Sequence, residues 1–356
     1  MRVIKGILLV ATICLLSIAI WLFWTKDTHT PNFVDAEGNK KVNSIAEERM
    51  MTLGGVEQYV LIRGENRINP LLVFVHGGPG MTATPFLRMH NHDLEKDFVV
   101  VYWEQRGTNN SYFEDLPPES MTIDQITNDL GELVDQLTDE FGQQKVLLLG
   151  HSWGTVPALV YAATSPEKVA AYVAIAQTVD QVESDTLGYE WALEQARQKE
   201  LPKSIEALEQ LGKPPYRYDQ FVTQRKQVNF LGGSMVEPQS DLAMAWSAMK
   251  TPEFSWVKLG QLVSGVKFSG ESLWEEQQQF NAIKQIPKLD VPYFLLNGRH
   301  DRIISPELGE KYFLNLDTPV KELIWFENSA HAPPFEEPEK FNQTIVDIAI
   351  KVGVLK

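Results

Sequence analysis

Short runs of consecutive apolar residues, separated by segments with helical periodicity, dominate the chain after residue 45. They lie at Leu71–Val75, Phe98–Trp103, Lys145–Leu149, Ala171–Ala176, Val291–Leu296 and Leu323–Phe326, with Val56–Ile62 as a candidate edge strand. Continuous apolar runs of this length are typical of strands buried on both faces of a parallel sheet. Helical patterns such as Ile123–Phe141 and Trp153–Ala163 alternate with them. The alternation predicts an α/β fold, with a mostly parallel sheet and helices on both faces.

One long stretch interrupts this alternation. Residues 178–286 contain no strand-like run and read as helical, polar and rich in Gln and Glu. The stretch leaves the sheet near the carboxyl ends of the strands, where such sheets bind ligands. We therefore predict an inserted helical cap at 178–286 on an α/β core formed by residues 46–177 and 287–356. Helices that merely decorate the domain are the alternative.

The amino terminus contains nineteen residues without a formal charge, at positions 6–24. At about 1.5 Å per residue a helix of that length is about 28 Å long, close to the hydrocarbon thickness of a bilayer. A cleaved signal peptide is the alternative, but its apolar region is usually shorter and ends at small residues. We expect an uncleaved membrane anchor over residues 1–26, with the lipid bilayer as a partner through 6–24, followed by a polar tether over 27–45.

Charges around the predicted span suggest its orientation. Arg2 and Lys5 precede the span, whereas Lys26 after it is balanced by Asp27. Basic residues are enriched on the cytoplasmic side of membrane spans. The pattern predicts a single-pass protein with a cytoplasmic amino terminus and a folded domain outside the cytoplasm.

Composition excludes one class of partner. The 356 residues carry a formal net charge of −15, and Cys14 is the only cysteine. A chain with this negative charge repels polyanions, and nucleic acid is therefore not expected as a partner. A single cysteine forms no intrachain disulfide.

The sequence Gly150-His151-Ser152-Trp153-Gly154 has the spacing G-x-S-x-G. A predicted strand precedes it and a predicted helix follows it, which is the context of a nucleophile elbow. A serine that caps the following helix is the alternative. The elbow makes Ser152 the candidate nucleophile, and a nucleophilic serine needs a neighbouring base.

Candidate partners for Ser152 follow later strands in the order acid, then histidine. Asp301 comes just after the run Val291–Leu296, and His331 comes five residues after Leu323–Phe326. This is the chain order of a Ser–Asp–His triad on such a sheet. Glu327 and Asp290 are weaker candidates for the acid. His151, beside the serine, is expected to point elsewhere.

An oxyanion hole is predicted from two backbone amides. Residues 76–80 read His-Gly-Gly-Pro-Gly directly after the run Leu71–Val75. Glycines in a loop after a strand let the backbone approach a substrate oxygen. Gly78 is the expected donor there, with the amide of Trp153 as the second.

Five sequence blocks together resemble the proline iminopeptidase-like α/β-hydrolases, peptidase family S33. They are HGGPG at 76–80, WEQRG at 103–107, GHSWG at 150–154, NGRHD at 297–301 and NSAHAP at 329–334. The resemblance covers residues from about 50 to 350 and implies the α/β-hydrolase fold of a serine aminopeptidase. It further implies that Ser152, Asp301 and His331 form the triad and that Gly78 and Trp153 form the oxyanion hole.

Two features depart from the family pattern. Glu104 stands where the family usually has Asp, and Asn109 stands where it usually has Gly. The family also uses cap glutamates in a W-x-x-W-E type segment to hold the free amino terminus of the substrate, and no such segment is found here. Acidic cap positions that could serve instead, or be solvated helix faces, are Glu190, Glu194, Glu275 and Glu276, of which Glu190 and Glu194 are taken as the substrate-binding candidates.

These features predict a membrane-anchored serine hydrolase that works by acyl transfer. The expected substrate is a short peptide or an amino-acid amide, as for an aminopeptidase of the proline iminopeptidase type. No metal or organic cofactor is expected, because clustered zinc ligands are missing from the sequence pattern. A carboxylesterase for small esters is the first alternative, and a non-catalytic binding protein on a hydrolase scaffold is the second.

Overall fold

The computed structural model of the chain describes residues 28–237 and 240–356, and four isolated positions at 12, 14, 15 and 17. The strands of this part are Ile45–Leu53 (β1), Val56–Gly64 (β2), Leu71–Val75 (β3), Val99–Trp103 (β4), Val146–His151 (β5), Val169–Ile175 (β6), Tyr293–Gly298 (β7) and Lys321–Phe326 (β8). The α-helices are Thr84–His90 (α1), Ile123–Phe141 (α2), Thr155–Thr164 (α3), Gln181–Gln198 (α4), Pro202–Leu211 (α5), Tyr218–Phe230 (α6), Asp241–Ala248 (α7), Trp256–Gln279 (α8), Ala282–Gln285 (α9), Pro306–Asn315 (α10), Pro333–Glu336 (α11) and Pro338–Lys351 (α12).

All eight strands belong to one sheet, in the order β1-β2-β4-β3-β5-β6-β7-β8. The pairs β1/β2 and β2/β4 are antiparallel, and the other five pairs are parallel. The predicted mostly parallel α/β sheet is therefore confirmed. The carboxyl ends of β3, β5, β7 and β8 meet at one edge of the sheet, because parallel strands end on the same side.

Strand β3 is apolar at every position because both of its faces are buried. In β3, Leu71 and Val73 pack against α2 and α3 on one face, whereas Leu72 and Phe74 pack against α1 and α12 on the other. All five side chains of this strand are at most 3% exposed. Such strands are stabilised from both sides, as in other parallel sheets covered by helices.

The edge of the sheet differs from the prediction. Val56–Ile62 is not an edge strand, because β1 pairs along its whole length, from Ile45 opposite Gly64 to Leu53 opposite Val56. The sequence of β1, IAEERMMTL, mixes polar and apolar residues and is only partly buried, as is usual for an edge. It therefore lacks the continuous apolar run that marks the other strands.

Thr30 and Phe33, in the predicted tether, contact the folded body. A guanidinium–ring contact of 4.5 Å joins Arg63 to Phe33. The hydroxyl of Thr30 donates a hydrogen bond of 2.8 Å to Glu253, which lies between α7 and α8. This part of the predicted tether therefore contacts both the sheet and the helical insertion.

The predicted localisation needs correction. No helix in the part of the chain that the structure describes is long and apolar enough to cross a bilayer. The predicted anchor at 6–24 lies outside the described residues except for the isolated positions. The finding contradicts the predicted single-pass topology, and the bilayer is not supported as a partner.

Helices α4–α9 lie in the connection between β6 and β7 and form the helical insertion. Within it, α8 lies directly on the loops that follow β3 and β4. A Cβ at Gly265 in α8 would lie 2.7 Å from the carbonyl oxygen of Gly107, and one at Gly80 would lie 2.6 Å from the carbonyl oxygen of Gly265. One turn further along α8, the hydroxyl of Ser269 donates a hydrogen bond of 3.0 Å to the Gly107 carbonyl. The backbones of α8 and the two loops therefore touch without intervening side chains.

Two glycines of α8 offer a matched test of this contact. In Gly265→Ala the added methyl group meets backbone atoms, so we expect the free energy of unfolding to fall by about 1–3 kcal/mol. In Gly260→Ala the new Cβ meets nothing within 4 Å. The higher helix propensity of alanine should therefore raise the free energy of unfolding by up to about 1 kcal/mol. Urea unfolding measures the free energy of unfolding of both variants. An equal change in the two would show that α8 does not contact the loops through Gly265.

Candidate active site

Ser152 lies in a sharp turn between β5 and α3. Its backbone φ is +54°, in the left-handed region that non-glycine residues rarely adopt. A Cβ at Gly154 would lie 2.1 Å from the carbonyl oxygen of Val75, and one at Gly150 would lie 2.9 Å from the carbonyl oxygen of Gly154. The turn therefore requires glycine at both positions of the G-x-S-x-G pattern: Gly154 where it crosses the end of β3, and Gly150 where the strand packs against the turn itself.

The loops after β5, β7 and β8 bring together Ser152, Asp301 and His331. His331 Nε2 lies 2.9 Å from Ser152 Oγ, and His331 Nδ1 lies 2.8 Å from Asp301 Oδ2. Since an ionised carboxylate only accepts, Nδ1 carries the proton and Nε2 is free to accept from the serine hydroxyl. The three side chains form one continuous hydrogen-bonded chain.

The carboxylate of Asp301 is held by its own loop. Its Oδ1 accepts hydrogen bonds from the amides of Ile303 at 2.7 Å and Ile304 at 3.0 Å, while Oδ2 faces the histidine. The side chain of Asp301 is only 2% exposed. The alternatives lie outside this chain of bonds: Glu327 pairs with Arg299 at the surface, and Asp290 pairs with Lys288.

The glycine loop after β3 lies against Ser152, the candidate nucleophile. A Cβ at Gly77 would lie 3.0 Å from the Cβ of Ser152, so only glycine fits beside the serine without displacement. Gly78 has φ +126°, a conformation that favours glycine. The structure thus places the predicted oxyanion loop next to Ser152.

A buried network that the sequence did not reveal fixes this loop to the elbow. The amide of Gln105 donates to His76 Nε2 at 3.0 Å, so His76 Nδ1 is protonated and donates to the Gly77 carbonyl at 2.8 Å. The side chain of Gln105 donates to the His76 carbonyl at 2.7 Å and accepts from the indole of Trp153 at 3.2 Å. Burial lowers the pKa of His76 to about 4, so its ring is neutral at neutral pH.

His151 also has a structural contact that was not predicted. Its Nε2 donates a hydrogen bond of 2.8 Å to the carbonyl oxygen of His331. Burial and the neighbouring His331 lower the pKa of His151 to about 4. His151, the residue before the serine in the G-x-S-x-G motif, therefore stabilises the loop that carries His331.

Glu104 and Asn109, the two residues that depart from the family's sequence blocks, contact each other. Glu104 is buried and accepts hydrogen bonds from Thr82 Oγ1 at 2.9 Å, from Asn109 Nδ2 at 2.9 Å and from both nitrogens of Asn110. Asn109 has φ +42°, which explains why glycine also suits this position. Burial raises the pKa of Glu104. Glu104 and Asn109 thus form one local unit in the loop after β4.

The predicted substrate-binding glutamates lie on exposed helix faces. Glu190 pairs with Lys213 at 2.5 Å, and its side chain is 49% exposed. Glu194, also exposed, accepts a hydrogen bond of 2.9 Å from Gln198. Neither is hydrogen-bonded to a residue of the triad, so their assignment remains a sequence prediction.

Comparisons with known proteins agree with this fold. The family described as alpha/beta hydrolase fold matches residues 70–338. The chain is 32% identical over 304 residues to the probable aminopeptidase YbaC of Bacillus subtilis (strain 168), which covers 85% of this chain and 96% of the relative. It is 26% identical over 288 residues to a proline iminopeptidase of Heyndrickxia coagulans, covering 80% and 91% of the two chains. A proline iminopeptidase-related protein of Thermus thermophilus superposes with a TM-score of 0.64 at 20% identity, covering 87% of this chain and all of the other.

The fold and the relatives define the class of protein, a hydrolytic enzyme. The chain belongs to the alpha/beta hydrolase fold family, and its predicted resemblance to the proline iminopeptidase-like members is confirmed. This membership favours an enzyme over a non-catalytic binding protein.

The two buried histidines predict a pH dependence of stability. Their pKa values in the folded chain are about 4, below the ordinary value of 6.5, so only the unfolded chain takes up these protons between about pH 6.5 and 4. The free energy of unfolding should therefore fall as the pH falls, by up to about 2 kcal/mol for each histidine between pH 7 and pH 5. His76→Gln should reduce this fall by one histidine's share, and His92→Gln, at an exposed position, should not. Urea unfolding at several pH values measures both, and identical pH dependence in the two variants would contradict the interpretation.

Proposed function

We propose that this chain is a serine aminopeptidase that acts on short peptides or amino-acid amides by acyl transfer. The hydrogen-bonded chain from Ser152 through His331 to Asp301 carries the proposal, together with the strained backbone that presents the serine. A serine near its free pKa is a weak nucleophile, and a base within hydrogen-bond distance activates it.

In the proposed mechanism His331 accepts the proton of Ser152 while the serine oxygen attacks the substrate carbonyl carbon. Asp301 holds the imidazole in the required tautomer and stabilises its charged form. The amides of Gly78 and Trp153 donate to the oxygen that becomes negative. His331 then gives its proton to the leaving amine, and water releases the acyl group in the reverse sequence.

Two observations support a small substrate with a free end. Ser152 is only 9% exposed, and helix α8 rests directly on the loops that follow β3 and β4. A nucleophile covered in this way favours the end of a chain over an internal bond. The aminopeptidase names of the relatives support the same substrate class. As part of this proposal, residues 178–286 act as a cap that shapes the substrate site on the core formed by 46–177 and 287–356.

A carboxylesterase remains the second candidate, because the four cap glutamates already have other surroundings. Glu190 pairs with Lys213, and Glu194 and Glu275 are exposed. Glu276 accepts a hydrogen bond of 2.7 Å from the amide of Ile123 at the start of α2. An ester substrate has no ammonium group and needs no such carboxylate.

The full-length protein separates these possibilities when it is assayed on prolyl, alanyl and leucyl arylamides beside p-nitrophenyl esters. We expect arylamide turnover, which Ser152→Ala should lower by about 10⁴-fold or more. Ser120→Ala is the control, because that hydroxyl only donates to the Pro117 carbonyl in an exposed turn.

The outcomes are distinct. Ester cleavage without arylamide turnover would move the assignment to a carboxylesterase. Activity that survives Ser152→Ala would falsify the proposed mechanism for both substrate classes.

A further inference from the structure

The segment of residues 232–236, between α6 and α7, lies beside the loops that carry the acid and the base of the proposed triad. The carbonyl oxygen of Gly233 accepts a hydrogen bond of 2.9 Å from the amide of Arg302. The carbonyl oxygen of Ser234 accepts one of 3.0 Å from the amide of His331 itself. The helical insertion therefore contacts the backbone of the catalytic loops and does not merely cover them.

Glu336, at the end of the short helix α11, joins the same two parts. Its Oε2 accepts hydrogen bonds from the amides of Ala330 at 2.9 Å and Ala332 at 3.2 Å, the two neighbours of His331. Its Oε1 accepts a hydrogen bond of 2.7 Å from the amide of Val236 in the segment 232–236. One carboxylate thus holds the histidine loop with one oxygen and the helical insertion with the other.

The backbone of His331 is consequently fixed on every side. Its amide donates to Ser234, its carbonyl oxygen accepts from His151 Nε2 at 2.8 Å, and the flanking amides donate to Glu336. With the peptide groups before and after the residue held, the ring nitrogen that faces Ser152 has a defined position. A displacement of about 1 Å between reacting groups is enough to lower a rate by up to about 10²-fold.

We propose that Glu336 is a positioning residue for His331, and that it ties the position of the base to the seating of segment 232–236. The inference rests on the proposed role of His331 as the base. Glutamate suits this position because it has two acceptor oxygens, one for each side. Glutamine has one acceptor oxygen and one NH₂ donor, and so accepts hydrogen bonds on one side only.

The rate constant kinact for modification of Ser152 by a fluorophosphonate tests this on the full-length protein. This reagent reports activation of the serine whether the natural substrate is an amide or an ester. Glu336→Gln should lower kinact by about tenfold, with little change in the reagent's binding constant and a melting temperature close to that of the wild type. Glu339→Gln, at an exposed position three residues further on, should leave kinact unchanged.

A second variant removes the contact from the other side. Val236→Pro deletes the amide that donates to Glu336 Oε1, and the Val236 side chain is exposed, so no core packing is lost. We expect kinact to fall in this variant as well, although the histidine loop itself is unchanged. Amide hydrogen exchange in peptides that cover residues 328–333 should become faster in both variants.

The outcomes separate the two proposals. A wild-type protein that the reagent does not modify, or that it modifies as fast as Ser152→Ala, would contradict the proposed nucleophile. If kinact is the same for the wild type, Glu336→Gln and Val236→Pro, the positioning role of Glu336 is overturned and the proposed nucleophile is not.

Discussion

The strained turn at Ser152 is the constraint on which the site depends. A serine with φ of +54° is held there because the turn crosses the end of β3 at a distance that only glycine at position 154 allows. The same crossing places Gly77 against the serine side chain. The elbow and the glycine loop therefore do not vary independently, because each defines the space available to the other. Strain of this kind persists when the surrounding structure over-determines it, and here the sheet provides that surrounding.

Neutral histidines hold the loops around this turn. His76 and His151 are both buried, and each makes its hydrogen bonds through defined ring nitrogens as donor or acceptor. A charged imidazolium at either position would lie buried without a carboxylate partner, which is costly. Burial therefore keeps these rings neutral, and a neutral ring can accept at one nitrogen and donate at the other. This is the property that the Gln105 amide uses at His76 Nε2.

The sequence was informative where a local pattern determines the structure. Strand β3 was predictable because burial of both faces makes every position apolar, whereas the edge strand β1, half-exposed to water, carries polar residues. The G-x-S-x-G spacing predicted the turn because its glycines meet backbone atoms at fixed positions. Contacts between distant parts of the chain left no local signal, as when His151 bonds to the His331 backbone 180 residues away. The sequence also does not show whether an acidic residue of a helix faces the solvent or the substrate site. Glu190, for example, lies on an exposed helix face and pairs with Lys213.

The helical insertion is bound to the sheet at two places with different consequences. At α8, Gly265 meets Gly107 through backbone atoms, so this contact sets how closely the insertion can approach the loops after β3 and β4. At segment 232–236, the contacts are hydrogen bonds to the loops that carry Asp301 and His331. Hydrogen bonds that water can partly reach can be replaced by hydrogen bonds to water at a small net cost in free energy. A steric clash between backbone atoms has no such replacement. The first contact therefore fixes the distance of the insertion from the sheet. The second is the one through which, in the proposed mechanism, a change in the insertion reaches His331.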